Sequence, residues 1–332
     1  MSDFILAGDI GATSCTIALV NARGEFIERE HGPGANIRST MILQGFEHVV
    51  TSTLAKLLKR YGTRTRLTQS EILSRINRAH FAVAGANGPV YPRVQAALEK
   101  ALRHFRAQFP LTLINEILPA FSANAAQAST GILAMAGTGA TTCAIVNGRV
   151  IRQHDGLGWV LGDRGSGTWM GLEILRACAA DLDGLGPRTA LTNLVLQSLS
   201  IATDVTSAPR PATNTLAQLI DAVSTMKPAA WTRFAPLHDR AIREGDAVAQ
   251  QLLDATTAQF VRAIESCRQA LLTEEIRGET LLVWAGGVAM NSPALRAAVN
   301  ASVAEDRGEL ALIPTLTQDP IIGVARHALT QR

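Results

Sequence analysis

The chain has 332 residues, a length that suits two domains of ordinary size, each able to bury its own core. Hydrophobic residues make up 47% of the chain and charged residues 18%, which indicates a folded protein and excludes a disordered one. The formal net charge is +3 and the basic residues are scattered, so no nucleic-acid partner is expected.

Neither a membrane role nor a metal or cluster role for the cysteines is expected. No apolar run reaches about 18 residues, and the start of the chain lacks a basic segment followed by an apolar one, so neither a membrane span nor a secretory signal is predicted. None of the four cysteines has CxxC spacing, which predicts buried, reduced thiols in a cytoplasmic protein. These cysteines are Cys15, Cys143, Cys178 and Cys267.

The first half of the chain begins with short apolar runs separated by turn residues, which predicts a meander of strands. Apolar residues at helical spacing then predict helices that alternate with further strands. The predicted elements are strands at 4–7, 15–20 and 26–29, a helix at 40–58, a strand at 80–84, a helix at 92–105 and a strand at 111–114.

The second half repeats this order, which indicates an internal duplication at the level of the fold. Asn147-Gly148 between two apolar runs is a strong hairpin signal. Residues 184–240 carry broken helical patterns and are predicted to form helical inserts and loops. The other predicted elements are strands at 131–135, 143–146, 149–152 and 280–285, and helices at 168–180, 246–272, 293–304 and 320–330.

Three glycine-bearing turns each follow an apolar strand. They lie at 9–14 (DIGATS), 136–140 (AGTGA) and 285–291 (AGGVAMN). In such a turn, backbone N–H groups can reach a phosphate or a nucleotide. One turn alone is a weak signal, but three in this order can bind a single nucleotide together.

The order of the turns resembles the actin, sugar kinase and heat-shock ATPase superfamily, with two phosphate turns followed by an adenosine turn. Within it, the stretch GLGWVLGDRGSG at 156–167 resembles the matching block of N-acetylglucosamine kinases, bacterial glucosamine kinases and the wider BadF/BadG-type ATPase family. The resemblance extends from about residue 4 to residue 328 and is patchiest at 60–78 and 200–240.

This resemblance implies an α/β protein with a two-domain actin-like ATPase (ribonuclease H-like) fold. Each domain would be a mixed five-stranded sheet flanked by helices, and the nucleotide would bind in the cleft between the domains. We expect the first domain at 1–115, the second domain with helical inserts at 116–317, and a C-terminal helix at 318–332 that returns to the first domain.

The resemblance also implies ATP and Mg²⁺ as cofactors. Asp9 would hold Mg²⁺ through water, and Gly11 would let the backbone approach the phosphates. The second turn has Ala140 where the family usually has Ser, although Thr141 follows directly. The implied ATP and phosphate contacts are Asp9, Gly11, Thr13, Ser14, Gly137, Thr138, Gly139, Gly286, Gly287 and Asn291.

Each turn also has a simpler explanation, which the sequence leaves open. Asp9 would then only cap its turn, and the second turn would be an ordinary hairpin connection. Gly286-Gly287 would be a common way to enter a helix, with Asn291 starting or capping the next one.

The acceptor side departs from the family pattern. Relatives carry an Asn-Asp pair after the last strand of the first domain, with the Asp as general base, and this chain has Asn115-Glu116. Glu is one methylene longer, and a shift of about 1 Å in a reacting group can cost about 10²-fold in rate. Glu116 is therefore the base in an adjusted site, a weaker base for a different acceptor, or a sign of lost catalysis with retained binding.

The resemblance assigns further residues to the acceptor. Arg164 stands where many relatives have Glu or Gln; facing the acceptor it would favour an acidic sugar, and facing solvent it would have no such role. Trp159 could stack on a sugar ring or belong to the core. The implied substrate-binding residues are Asn36, Asn115, Gly158, Asp163 and, more weakly, Asn87.

The implied activity is an ATP-dependent phosphotransferase that places the γ-phosphate on the 6-hydroxyl of an amino sugar, N-acetylglucosamine or glucosamine. A homodimer is the expected assembly. The alternatives are a kinase for another sugar such as N-acetylmuramic acid and a catalytically silent sugar- or nucleotide-binding protein. A dehydratase-activating ATPase is disfavoured because the cysteines lack the pairing that binds an iron–sulfur cluster.

Overall fold

A computed structural model describes residues 4–35, 37, 43–123, 129–202, 213–305, 309–317 and 319–330. Within it the chain divides into two compact units. The first unit comprises Met1–Ser129 and Thr317–Arg332, and the second unit comprises Thr130–Leu316. The division therefore lies after Ser129, whereas the sequence placed it after Asn115. The helix that follows Asn115 stays with the first unit.

The first unit is built on a five-stranded sheet with the strand order β3-β2-β1-β4-β5. The first three strands form an antiparallel meander, and β4 and β5 continue the sheet parallel to β1. Its elements are β1 (Phe4–Ile10), β2 (Ser14–Asn21), β3 (Phe26–Pro33), α1 (Leu43–Thr65), α2 (Gln69–Ser74), β4 (Ile76–Val83), α3 (Tyr91–His104), β5 (Leu111–Ile114), α4 (Ile117–Ser122) and α12 (Pro320–Thr330).

Both faces of this sheet are covered. Successive side chains of a strand point to opposite faces, so Leu6 packs into the core beside α1 and α3 while Ile5 packs into the core beside α12. The C-terminal helix α12 buries Ile321 and Val324 in this second core. Helix α12 therefore covers the second face of the first sheet.

The second unit repeats the same sheet order as β8-β7-β6-β9-β10. The duplication expected from the sequence is therefore present in the topology. Its elements are β6 (Gly131–Ala136), β7 (Ala140–Val146), β8 (Arg149–Asp155), α5 (Gly167–Asp183), α6 (Ala190–Ser198), α7 (Thr213–Ser224), α8 (Ala235–Arg243), α9 (Ala247–Thr273), β9 (Gly278–Ala285), α10 (Gly287–Asn291), α11 (Pro293–Glu305) and β10 (Leu310–Leu316).

Local signals account for several of these elements. Asn147 and Gly148 both have positive φ (50° and 71°), as a type I′ hairpin between β7 and β8 requires. Asp246 caps α9 by accepting a hydrogen bond from the backbone N–H of Ala249 at 2.8 Å. The predicted helical inserts form α6, α7 and α8, which pack with α5 around Phe234 in a separate core.

The sequence failed to predict strand β10. This strand pairs in parallel with β9 at the edge of the second sheet, and it contains Pro314. Proline cannot donate to a ladder and is tolerated at sheet edges, so a short run containing it gives a poor strand signal. Only the pairing of β10 with β9 identifies it as the fifth strand of the second sheet.

Candidate functional site

Parallel pairing brings the candidate residues of the first unit to one edge of its sheet. Ile10 pairs with Val83, and Ala82 pairs with Ile114, so β1, β4 and β5 end side by side. Segments that follow the carboxyl ends of parallel strands meet at the same edge. The turn after Ile10, the turn containing Gly85, and Glu116 therefore lie together.

The first turn is held open by backbone hydrogen bonds. The N–H of Gly11 donates to the carbonyl of Ser14 at 2.8 Å, and the N–H of Ala35 donates to the carbonyl of Gly11 at 2.9 Å. Thr13 and Ser14 are exposed, so their hydroxyls are available to a ligand. Gly34 is needed for this arrangement, because a Cβ there would lie 2.2 Å from the backbone nitrogen of Thr13.

Asp9 is the most perturbed carboxyl group of the first unit. Burial raises its pKa, and the charges of Asp319 and Glu116 add to the effect, from 3.8 to about 7. The three carboxyl groups therefore lie close enough together to interact. Asp319 is itself paired with the guanidinium of Arg29 at 2.9 Å, so Asp9 is the carboxyl group whose ionisation its surroundings disfavour.

Glu116 is anchored to the end of β4. Both of its carboxylate oxygens accept the backbone N–H of Gly85, at 3.1 Å and 3.2 Å. The chain turns sharply there, because Gly85 has a φ of +73°. The side chain, longer by one methylene than that of Asp, is thus held at the strand edge rather than left extended.

The neighbouring asparagines have different roles. The side-chain oxygen of Asn115 accepts the N–H of Ile117 at 2.8 Å, just before α4, and its amide nitrogen can still donate to a substrate. Asn87 is exposed, two residues beyond Gly85. Asn36 lies outside the described residues.

In the second unit, the second and third turns share one corner. Met135 pairs in parallel with Ala285, so β6 and β9 end side by side. A Cβ on Gly286 would lie 2.5 Å from the carbonyl oxygen of Ala136, and a Cβ on Gly137 would lie 3.7 Å from the Cα of Gly286. The two turns that the sequence predicted to bind a nucleotide therefore lie in direct contact.

Helix α5 begins against the second turn. The N–H of Gly167 donates to the carbonyl of Gly137 at 2.7 Å, and the hydroxyl of Thr168 donates to the carbonyl of Thr138 at 2.8 Å. The positive end of a helix dipole therefore lies beside this turn, which favours an anion there.

The third turn differs in one respect from the sequence expectation. Asn291 is the last residue of α10, and its side-chain amide donates to the carbonyl of Gly287 at 2.8 Å. The following helix, α11, is capped instead by Ser292, whose hydroxyl accepts the N–H of Leu295 at 3.3 Å. Asn291 therefore ends one helix and neither starts nor caps the next.

The loop between β8 and α5 carries the remaining candidates. The carboxylate of Asp163 accepts the N–H of Gly158 at 3.2 Å, and a Cβ on Gly139 would lie 3.0 Å from it. Asp163 is thus directed at the second turn. Trp159 is 45% exposed and packs edge-to-face on Trp231 with 5.5 Å between the ring centroids, so it is not a core residue.

The chain is similar in sequence and in fold to known proteins. The model of the BadF/BadG/BcrA/BcrD ATPase family matches residues 8–328. The chain belongs to this ATPase family.

One relative is the N-acetyl-D-glucosamine kinase of Dictyostelium discoideum, and this chain is 26% identical to it over 222 residues. The aligned part covers 66% of this chain and 65% of that kinase, slightly less than two thirds of its length.

Solved structures establish the fold of this family member. A candidate N-acetylglucosamine kinase from Porphyromonas gingivalis superimposes with a TM-score of 0.70 at 21% identity, over 98% of this chain and 99% of that one. A second candidate N-acetylglucosamine kinase, from Chromobacterium violaceum, gives 0.68 at 20% identity over 99% of both chains. The fold is that of the actin-like ATPases and sugar kinases, as the sequence predicted.

Two contributors to the candidate site were not predicted from the sequence. Asp319 precedes Pro320, a combination typical of a helix start, but nothing local shows that the helix returns to Asp9. Gly85 directly follows the strand predicted at 80–84, but its role as the N–H donor to Glu116 depends on the pairing of β4 with β5.

Two further findings concern the chain as a whole. All four cysteines are buried free thiols, as predicted. None of the helices in the described part of the chain is long and apolar enough to cross a membrane.

Proposed function

We propose that this ATPase-family member is an ATP-dependent phosphotransferase that places the γ-phosphate on the 6-hydroxyl of an amino sugar, N-acetylglucosamine or glucosamine. The observation that carries the proposal is the anchoring of Glu116 at the sheet edge beside Asp9. Similarity to the kinase of D. discoideum supports the class of acceptor.

Phosphoryl transfer needs aligned reactants, a neutralised phosphate and a base near the acceptor hydroxyl. Glu116 is proposed as that base: its carboxylate takes the hydroxyl proton as the acceptor oxygen attacks the γ-phosphorus and ADP leaves. The N–H of Gly85 fixes the direction of the carboxylate, which supports the first of the three interpretations of Glu116, a base in an adjusted site.

The glycines of the turns support ATP as the donor. At all three positions a side chain would have room. The nearest atom would lie 3.5 Å from a Cβ on Gly11 and 3.7 Å from a Cβ on Gly137, and no atom would lie within 4 Å of a Cβ on Gly287. None of these three has a positive φ. Since the fold does not require glycine at these positions, close approach by a ligand explains them better.

The carboxyl group of Asp9 suits the Mg²⁺ that accompanies ATP. Mg²⁺ prefers carboxylate oxygens and keeps several of its waters, so a partly exposed Asp9 suits a contact through water. When bound, the ion would neutralise phosphate charge. Burial is the largest cause of the raised pKa of Asp9, and the charges of Asp319 and Glu116 add to it.

The proposal is tested by a coupled ADP-release assay with Mg-ATP against N-acetylglucosamine, glucosamine, N-acetylmannosamine, N-acetylmuramic acid and glucose. Turnover with an amino sugar is expected. Binding of ATP and sugar by calorimetry without product would instead identify a silent binding protein, and turnover confined to N-acetylmuramic acid would correct the acceptor.

The base is tested by Glu116→Gln, which keeps the size of the side chain and an oxygen for the N–H of Gly85. We expect kcat to fall by about 10²–10⁴-fold with little change in melting temperature or ATP affinity. Unchanged turnover would remove Glu116 from the reaction.

The proposal includes a cytoplasmic homodimer. Buried free thiols suit a reducing compartment, and two-fold dimers are the commonest assembly. Light scattering coupled to size-exclusion chromatography measures the assembly directly, and a monomeric mass would contradict the dimer.

A further inference from the structure

A cavity of about 360 Å³ lies wholly within the second unit. Its walls are the start of β7, the end of β8, the following loop and the middle of α9. Its volume falls at the lower end of the range of small-molecule sites, about 300–1,000 Å³. The cavity therefore has room for a compact metabolite.

The lining of this cavity is basic. Arg164 enters it from the loop and Arg262 from α9. Within the described part of the chain, neither arginine forms an ion pair with a carboxylate, whereas many other surface arginines of this protein do. Two guanidinium groups without an anionic partner are thus gathered at one cavity.

The single carboxylate in the lining is already engaged. Asp155 accepts the backbone N–H of Arg164 at 3.0 Å with one oxygen and the backbone N–H of Asp163 with the other. His154 also lines the cavity, and its Nε2 is bonded to the hydroxyl of Ser266 at 2.8 Å. Counting both arginines and Asp155, the lining retains a net positive charge.

This cavity is separate from the acceptor-binding candidates of the same loop. Gly158 and Asp163 do not line it, and the carboxylate of Asp163 points instead toward Gly139. Arg164, the next residue, turns the other way. Arg164 is exposed to solvent and also lines this cavity.

The rest of the lining suits the body of a sugar. Gln259 contributes an amide that can both donate to and accept from hydroxyls. Leu157 and Leu161 are 60% and 74% exposed at the cavity although they are apolar. A ligand that covers them would bury apolar surface, which is favourable.

We propose that this cavity binds a small phosphate monoester, with Arg164 and Arg262 on the phosphate and a sugar-sized remainder against Gln259, Leu157 and Leu161. Planar guanidinium groups match the oxygens of a phosphate, which explains arginine at both positions. The choice of a sugar phosphate rests on the proposed function, since such an ester is the product of that reaction.

The test is calorimetric titration of glucosamine 6-phosphate into the full-length protein saturated with a non-hydrolysable ATP analogue. The γ-phosphate of the analogue takes the place that the phosphate of a product needs, so binding reports on the cavity. We expect saturable binding that Arg262→Gln weakens by about 10–100-fold, the size of a charge-assisted hydrogen bond.

Arg149→Gln is the matched control, because Arg149 is exposed at the other end of β8 and does not line the cavity. It should leave the affinity unchanged. Absence of saturable binding, or wild-type affinity in a folded Arg262→Gln variant, would overturn the proposal. Neither result requires turnover, so a failure of the kinase assay and a failure of this binding assay are distinguishable.

Discussion

Asp9 combines two opposing requirements at the scale of one residue. Its position at the end of β1 removes much of its carboxyl group from water and places it near Asp319 and Glu116, all of which disfavour ionisation. Binding a cation demands the ionised form. A carboxyl group in this position is poor for stability and well placed for function.

The pKa of Asp9 predicts a pH-dependent loss of stability. The folded protein holds this proton up to about pH 7, while the unfolded chain releases it near pH 3.8. The free energy of unfolding therefore falls as pH rises through this window, by at most about 4 kcal/mol. In EDTA, Asp9→Asn should unfold with a flatter pH profile and be more stable than wild type at pH 8.

Denaturant unfolding at several pH values measures this difference. Parallel profiles for the two proteins between pH 4 and pH 8 would contradict the shift of Asp9. Kinase turnover should be lost in Asp9→Asn whichever profile is found, since the proposed cation contact is removed.

At the scale of an element, the two adjacent glycines of the third turn, Gly286 and Gly287, have different roles. Gly286 has a φ of +89°, and a Cβ there would lie 2.5 Å from the carbonyl oxygen of Ala136. Gly287 has ordinary backbone geometry and open space around it. The fold requires the first glycine and leaves the second for a ligand.

Alanine at the two positions should therefore have opposite effects. Gly286→Ala should lower the free energy of unfolding by about 2 kcal/mol or more. Gly287→Ala should unfold like wild type, within about 1 kcal/mol, and bind ATP at least tenfold more weakly. Thermal unfolding and ATP titration of both variants decide this, and full ATP affinity in Gly287→Ala would argue against the adenosine turn.

Strand β4 and helix α12 meet at a pair of histidines. His80 on β4 is 2% exposed, and its ring centroid lies 5.7 Å from that of His327 on α12. Burial lowers the pKa of His80 from 6.5 to about 4, with the charges of His327 and Arg78 acting in the same direction. The contact therefore favours the neutral form of the His80 imidazole.

Acid should weaken this contact. The unfolded chain takes up the proton of His80 near pH 6.5, and the folded protein only near pH 4, so stability is lost as pH falls through that window. His80→Gln should show a shallower fall than wild type, whatever its stability at pH 8. His48→Gln, at an exposed position on α1, is the control and should keep the wild-type slope.

At the scale of the whole molecule, the end of the chain completes the first unit. Helix α12 packs on β1 and on α4, and Thr317 donates its hydroxyl to the carbonyl of Ala120 at 2.6 Å. The approach of α12 to α4 is close at Gly323, where a Cβ would lie 1.9 Å from the carbonyl oxygen of Pro119. The first unit therefore cannot be complete until residues 317–330 have been made.

A pair of helical glycines tests this closure. Gly323→Ala should force α12 away from α4 and cost about 1–3 kcal/mol, with earlier proteolysis of the C-terminal segment. Gly45→Ala, in α1 with nothing within 4 Å of the added Cβ, should instead stabilise by about 0.5–1 kcal/mol. Equal effects of the two substitutions would show that the contact at Gly323 is not limiting.

Much of this architecture was predictable because its signals are local. Alternating apolar residues predicted most strands, Asn147-Gly148 predicted a hairpin, and Asp246 marked the start of α9. Strand β10 was not predicted, since its run contains Pro314 and three of its seven residues are exposed at a sheet edge. Local sequence carries little information where pairing alone defines the element.

The sequence by itself determined the duplicated topology, the three glycine turns and the position of Glu116 after a buried strand, because periodicity and turn chemistry act between near neighbours. Only the tertiary structure placed Asp319 beside Asp9, anchored Glu116 on Gly85, and gathered Arg164 with Arg262 at one cavity. These contacts join residues that are distant in the chain. Electrostatic coupling depends on separation in space and on burial, which no local pattern specifies.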